Sequence, residues 1–302
     1  MNNNLESIFI IKFSMKVIAV LLFALILSSC VNTGLGLING IAKSGKYSVS
    51  KDISYGPHKQ NKLDFYLPKT QEISATIVFF YGGCWGQCSA LNKHHYLFVA
   101  EALTQQGYAV VIPDYRKYPD VKFKEIMEDA ENAVLWTGQN SQKYTIENKS
   151  LFIMGHSAGA QIGAMLVANE DYLEESLLPI GGFIGLAGPY DFYPFSDDYM
   201  YQLFSSENDY YNSQPINYIN GNEPPFLLIH GKNDKKVSPK NATNLSAKLS
   251  KFQVDHKLIM PEKKSHIGVL INMAKPFRKN ALVLSAINDF IGKDKKALRT
   301  GH

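Results

Sequence analysis

An α/β chain with a mostly parallel central sheet, covered by helices on both faces, is the fold class this sequence predicts. Three observations carry that reading. Short β-branched and aromatic runs alternate with stretches of helical period through most of the chain. Two alternating apolar–polar stretches flank Gly56-Pro57 near the start, which reads as an antiparallel hairpin at one edge of the sheet. The apolar run Ser150-Leu151-Phe152-Ile153-Met154 enters Gly155-His156-Ser157-Ala158-Gly159 and leaves into a run of small and apolar residues ending at Ala168. That pentapeptide therefore sits at a strand-to-helix turn.

In order along the chain, Lys12 and Lys16 precede an uninterrupted apolar run of eleven residues, Val17 to Leu27, and then Ser28-Ser29-Cys30. A charged start, a short apolar run and small residues mark a secretory signal, and the run is too short to span a bilayer. Met15 is a second candidate start. Residues 31–45, rich in Gly, Asn and small side chains, read as a tether. Tyr47 to Tyr55 and Lys62 to Leu67 read as the hairpin strands, and Ala75 to Tyr81 as a buried strand ended by Gly82-Gly83-Cys84-Trp85-Gly86.

Lys93 to Gln106 has helical spacing with Gly107 as its cap, Tyr108 to Ile112 is the next strand, and Phe123 to Gln139 is an amphipathic helix. After the central turn come strand Ile180 to Ala187, strand Phe226 to His230, helix Pro239 to Lys251, strand His256 to Met260 and helix Asn280 to Ile291. One segment breaks the rhythm. Residues 190–223 are dense in Tyr and Phe and too long for an ordinary connection. They read equally as a cap over the site or as a surface insertion with its own small core. The division that follows is 1–29 signal, 30–45 tether, 46–293 main domain and 294–302 polar tail.

Composition bounds the function. The chain has 302 residues, 45% hydrophobic and 19% charged, with a net charge of +4. Its lysines and arginines are dispersed, with no basic patch interleaved with aromatics, which argues against nucleic-acid binding. Of the three cysteines, Cys84 and Cys88 are four apart in one loop. They read either as a local disulfide, favoured outside the cytoplasm, or as two buried thiols. No His or Cys cluster has metal spacing, so neither a metal nor another cofactor is expected. Oligomeric state is not readable.

Ser157 is the candidate nucleophile. A tight strand-to-helix turn lifts its hydroxyl clear of the sheet, and the following helix N-terminus favours a developing anion. A serine hydroxyl needs a base to take its proton, an acid to hold that base in one tautomer, and N–H donors for the oxyanion. Asp234 follows the strand Phe226 to His230 and is the candidate acid; Asp191, after the preceding strand, is its rival. Asp255 stands at the wrong end of a strand. His266, in the loop after the last strand, is the candidate base. His58, His94 and His95 precede the serine, His230 ends a strand and is expected to pack or hydrogen-bond there, His256 lies within a strand, and His302 ends the chain. Ala158 and the loop at Gly83 and Cys84 are the expected oxyanion donors. Trp85, His156 and Tyr190 are expected at the substrate pocket.

These residues together resemble the α/β-hydrolase superfamily, in its esterase/lipase branch with an H-G-G-G-W-type oxyanion loop. That branch includes carboxylesterases and kynurenine-formamidase-like enzymes. The pieces that match are Tyr81-Gly82-Gly83-Cys84-Trp85, Asp114 to Asp120, the turn at Ser157, Ala187 to Asp191, His230 to Val237, and Ser265-His266, spanning about residues 62–291. Tyr81 replaces the usual His, which steadies the loop in the family, and Cys84 replaces the third Gly. The resemblance implies an α/β-hydrolase fold with an antiparallel N-terminal edge and an order Ser157, Asp234, His266 along the chain. It implies a small-molecule ester substrate. Amide or formamide cleavage by the same residues is the alternative, and an inert binding lipoprotein is a third reading, motivated by Tyr81 and Cys84. The ending Leu27-Ser28-Ser29-Cys30 resembles the lipobox of bacterial lipoproteins. It implies lipidation at Cys30 and anchoring to a membrane on the exported side of the cell envelope.

Overall fold

A computed structural model describes residues 34–88, 91–147, 149–205, 207–280 and 282–300. The expected signal over 1–29 and Cys30 lie outside the described residues. Among the described residues, eight strands form one sheet: β1 (Tyr47–Ser54), β2 (Lys62–Pro68), β3 (Ala75–Phe80), β4 (Tyr108–Pro113), β5 (Leu151–His156), β6 (Ile180–Leu186), β7 (Phe226–Ile229) and β8 (His256–Ile259). Their spatial order is β1-β2-β4-β3-β5-β6-β7-β8. β2 pairs antiparallel with both β1 and β4; every other pairing is parallel.

Burial explains the pattern. Successive strand residues point to opposite faces. All six residues of β3, of β4 and of β5 are buried, so both faces are covered there. That requires the continuous apolar runs the sequence carries. β1, at the edge, has half-buried residues alternating with exposed ones at its start. The covering helices include α2 (Leu97–Thr104), α3 (Phe123–Gln139), α4 (Ala158–Ala168) and α7 (Lys240–Lys251). The chain runs from β3 outward to β4 and returns to β5 on the other side of β3. This reversal opens a crevice at the carboxyl ends of β3 and β5, the place where open α/β sheets bind ligands.

Two expectations change. Residues 34–42, read as tether, form a helix, α1, docked on the domain. Asn39 is the reason: its amide donates to the His95 carbonyl at 2.9 Å and accepts from Phe98 N at 3.1 Å, serving groups at the start of α2. Ala42 is buried beside it. Residues 294–300, read as a polar tail, continue α9 (Leu282–Thr300), since no helix breaker follows Gly292. The insertion 190–223 contains α5 (Asp198–Leu203) and α6 (Glu207–Asn212), whose short polar–aromatic stretches carry little helical signal. Between β8 and α9, α8 (His266–Ile271) also forms, capped by Ser265 Oγ accepting from Gly268 N at 3.2 Å.

α4 packs unusually close to the strand ends. A Cβ on Gly159 would collide with the Phe80 carbonyl and reach the Tyr81 carbonyl oxygen at 2.5 Å; one on Gly155 would run into the Gly159 backbone. Gly159→Ala should therefore destabilise the fold by about 1–3 kcal/mol, lowering Tm by several degrees in a thermal melt. Gly292→Ala, where nothing lies within 4 Å, should be neutral or stabilising. Equal melts for the two variants would contradict the close approach.

Candidate active site

β5 delivers the chain to Ser157, and α4 starts at the next residue. Ser157 has φ 56° and ψ −127°, a backbone conformation that a non-glycine residue adopts only when its surroundings impose it. Its N–H donates to the Leu186 carbonyl at 3.0 Å and its carbonyl accepts from Ala160 N at 2.9 Å. The turn throws the side chain off the sheet end, above the N-terminus of α4.

A hydrogen-bonded chain runs from this hydroxyl. His266 Nε2 lies 2.9 Å from Ser157 Oγ, and His266 Nδ1 lies 2.8 Å from Asp234 Oδ2. An ionised carboxylate only accepts, so Nδ1 carries the proton and Nε2 is left to accept from the serine. Asp234 is buried at 5% exposure in the loop after β7. Its Oδ1 accepts from Lys236 N at 2.8 Å and Val237 N at 2.9 Å, and its Oδ2 also meets His230 Nε2 at 3.1 Å. Burial opposes its charge, but hydrogen bonds from His230, His266 and the Val237 N–H outweigh it and hold the carboxyl below the usual range. The rival Asp191 is engaged elsewhere, its Oδ2 accepting from Asn244 Nδ2 at 2.7 Å.

The loop after β3 lies against the serine. A Cβ on Gly82 would meet Ser157 Cβ at 2.8 Å. Gly83, Cys84, Trp85 and Gly86 all have positive φ, at 129°, 52°, 55° and 119°. Cys84 pairs with Cys88 in a disulfide, Cα to Cα 5.2 Å. Cys84 and Ala158 open onto the same cleft as Ser157. Ala158 is the first residue of α4, where a backbone N–H has no partner within the helix. Tyr81, standing where the resembled family has His, is braced: its OH donates to Asp114 Oδ1 at 2.6 Å, and its carbonyl accepts from Tyr115 OH at 2.7 Å. Asp114 Oδ1 also accepts from Lys93 N at 2.8 Å. Burial, with the Asp114 charge added, raises the Tyr81 phenol well above its ordinary value, so it stays a donor.

The cleft over Ser157 has a volume of about 960 Å³. One wall is the loop from Asp234 to Pro239 and the start of α7; the other is the insertion, through Phe192, Tyr193, Tyr199 and Met200. The insertion is thus both a wall of the cleft and an aromatic cluster in its own right, with Phe195 and Phe204 rings 5.1 Å apart and Phe123 joining Phe204 at 4.9 Å. A second hollow of about 600 Å³ beside α1 and β1, lined by Lys43, Tyr47, Asp64 and His94, contains none of these groups.

Of the three side chains expected at the pocket, Trp85 lines the cleft. His156 and Tyr190 are corrections: neither lines it. His156 is buried with its Nε2–H donating to the His266 carbonyl at 3.0 Å, so it holds the His266 backbone from behind. Tyr190 packs into the core against Phe183, rings 6.3 Å apart. Each adjoins cleft-lining residues in sequence, His156 before Ser157 and Tyr190 between Pro189 and Asp191, but is itself buried. His230, expected to pack or hydrogen-bond at its strand end, is buried with Nε2 3.1 Å from both the Val237 carbonyl oxygen and Asp234 Oδ2. The sequence reading missed one group. Gln161 is buried next to Trp85, and the signal was a lone polar side chain in an otherwise small and apolar helix.

A family model described as BD-FAE matches residues 63–249, more than half of the chain. The match includes Ser157 and Asp234 and ends before His266. The isoprenylcysteine alpha-carbonyl methylesterase ICME of Arabidopsis thaliana is 23% identical over 248 residues, covering 74% of this chain and 57% of that protein. Kynurenine formamidase of Danio rerio is 30% identical over 151 residues, 49% of each chain. The chain spans less than two thirds of the length of these curated relatives. Esterase B from Lactobacillus rhamnosis, solved with a tributyrin phosphonate, has a TM-score of 0.73 at 16% identity, covering 92% of this chain and 97% of that one. Identity that low shows a shared fold.

His156 gives the site an acid sensitivity. Burial, with the nearby His266 ring adding to it, pushes its imidazole down to about 3. The unfolded chain takes up that proton near pH 6.5. Between those values the unfolded state binds more protons, so stability falls as pH drops through the window, by up to about 1.4 kcal/mol per pH unit. Asp234, with its folded value lowered, adds stability that is present above about pH 3.9 and lost below it. Denaturant midpoints should fall from pH 6.5 to pH 4, and His156→Gln should flatten the upper part of that slope. An unchanged slope in the variant would contradict a buried neutral His156.

Proposed function

This chain belongs to the BD-FAE family, and we propose that it is a serine hydrolase cleaving carboxylic esters through an acyl-enzyme. The observation that carries the reading is the unbroken hydrogen-bonded chain from Ser157 through His266 to Asp234 at the floor of the cleft. In the first half-reaction, Ser157 Oγ attacks the ester carbonyl carbon while His266 Nε2 takes the hydroxyl proton. Asp234, already fixed by its other donors, stabilises the imidazolium without taking a proton. The backbone N–H groups of Ala158 and of the loop at Gly83 and Cys84 receive the oxyanion. Collapse breaks the bond to the alcohol oxygen, which leaves with the proton from His266. Water then attacks the acyl-serine carbonyl and gives a proton to His266; collapse breaks the bond to Ser157 Oγ, which takes that proton back from His266 as the acid is released.

The same groups suit an amide or formamide, and the likeness to a kynurenine formamidase favours that as the second reading. The leaving group separates the two, since an amine must be protonated before it departs and an alkoxide needs less help. The Tyr81–Asp114 bond supplies the oxyanion loop with a brace in place of the absent His, which weighs against an inert binding protein. The second part of the proposal concerns location. The Lys16 to Cys30 pattern supports export and anchoring to a membrane through lipidated Cys30, on the exported side of the cell envelope. One acyl chain binds only marginally, so stable anchoring requires the multiple chains that lipoproteins of this kind carry.

Ser157→Ala and His266→Ala should each lower hydrolysis of a short acyl ester at least about a thousandfold, because nucleophile and base act as a unit. Asp234→Asn should cost far more than Asp191→Asn, since an amide holds the imidazole in the wrong tautomer. A folded His266→Ala with normal activity would falsify the assignment. Faster turnover of matched amides than esters would favour the second reading. Intact mass of the mature N-terminus should show an acylated Cys30; an unmodified N-terminus at another residue contradicts the anchor.

A further inference from the structure

Gln161 is a fully buried polar side chain that no step of the proposed chemistry uses. It sits on α4, four residues after Ser157, and its N–H donates to the Ser157 carbonyl at 3.3 Å. Both ends of its amide are committed. Oε1 accepts from the Trp85 indole Nε1–H at 3.0 Å, and Nε2 donates to the Ser213 carbonyl at 2.8 Å. One side chain thereby joins the nucleophile helix, the loop that carries Cys84, and the aromatic insertion.

The loop needs such a tie. Cys84 and Trp85 are adjacent non-glycine residues in the left-handed region, which neither favours on its own. Their conformation must be imposed from outside. On one side the Cys84–Cys88 disulfide closes the loop. On the other, the Trp85 indole stacks on Phe192 at 5.9 Å, meets the edge of Phe204 at 5.2 Å, and bonds to Gln161. The Trp85 carbonyl accepts from Tyr118 N at 2.9 Å. Of these holds, the bond to Gln161 is the one that originates on the helix bearing the nucleophile.

We propose that Gln161 is a positioning residue. Through the Trp85 indole it sets the Cys84 backbone N–H against Ser157, and through Ser213 it ties the insertion wall to the same helix. The inference rests on the serine-hydrolase reading above. An oxyanion donor works only if it is placed where the charge develops, and a displaced donor costs turnover more than substrate binding.

The test is steady-state hydrolysis of 4-nitrophenyl butyrate by the full chain carrying Gln161→Leu, Trp85→Phe, or both. In each single variant kcat should fall about ten- to a hundredfold, with KM within about threefold of wild type. The double variant should be no worse than the worse single, because both substitutions break one bond. Affinity for a trifluoromethyl ketone, whose adduct places an oxyanion in the hole, should fall with kcat/KM. A packing role would lower Tm while leaving kcat and ketone affinity unchanged, and that result overturns the proposal, as do multiplicative losses in the double variant. Should Gln161→Leu not fold, Trp85→Phe keeps an aromatic side chain at that position but has no N–H to give Gln161, so it carries the same test. Ser157→Ala separates the two levels. Hydrolysis retained there removes the serine reading and this inference together; hydrolysis lost there but normal in Gln161→Leu removes the inference alone.

Discussion

The close approach of α4 to the ends of β3 and β5 is the constraint on which the site depends. It is permitted by glycine at three backbone positions, Gly82, Gly155 and Gly159, where a Cβ would meet another backbone or Ser157 itself. The approach forces Ser157 to φ 56° and raises its hydroxyl off the sheet. It sets the free N–H groups of the helix start beneath that hydroxyl. It also brings the loop after β3 beside the serine, because the sheet order puts β3 and β5 side by side. One packing contact thus fixes Ser157, the start of α4 and the loop after β3 relative to one another.

Charge is arranged around this scaffold with little slack. Three donors converge on the Asp234 carboxylate, the Lys236 and Val237 N–H groups and His266 Nδ1–H, while His230 Nε2, also 3.1 Å from the Val237 carbonyl, lies 3.1 Å from Oδ2. A buried carboxylate would be costly unpaired, and here its hydrogen bonds are satisfied. Because Asp234 cannot turn away, the His266 ring is held with its proton on Nδ1. His156 grips the His266 backbone from behind and stays neutral, so it adds no competing charge beside the His266 ring.

How much of this was legible in the sequence follows from how local each signal is. The strands and α3 were readable within a residue or two, because continuous burial demands continuous apolar runs and α3 has a clear amphipathic stripe. The turn at Ser157 was readable because Gly-x-Ser-x-Gly between a strand and a helix has few structural alternatives. Asp234 and His266 were readable from their places after strands. What escaped was set by contacts distant in sequence. α1 forms from a Gly-rich stretch of poor propensity because Asn39 docks on the start of α2, nearly sixty residues on. The Tyr81 brace needs Asp114, and the Gln161 tie needs Trp85 and Ser213; no window of sequence contains those pairs. His156 and Tyr190 were misplaced because adjacency in sequence does not tell which way a side chain turns at a tight bend.

The central claim is that Ser157 is a nucleophile activated by His266. A fluorophosphonate probe, followed by peptide mass mapping of the labelled full chain, tests it most directly. The expected result is one covalent adduct on the peptide bearing Ser157, absent from Ser157→Ala and greatly slowed in His266→Ala. An adduct on another residue, or no adduct on a folded wild-type chain, would contradict it.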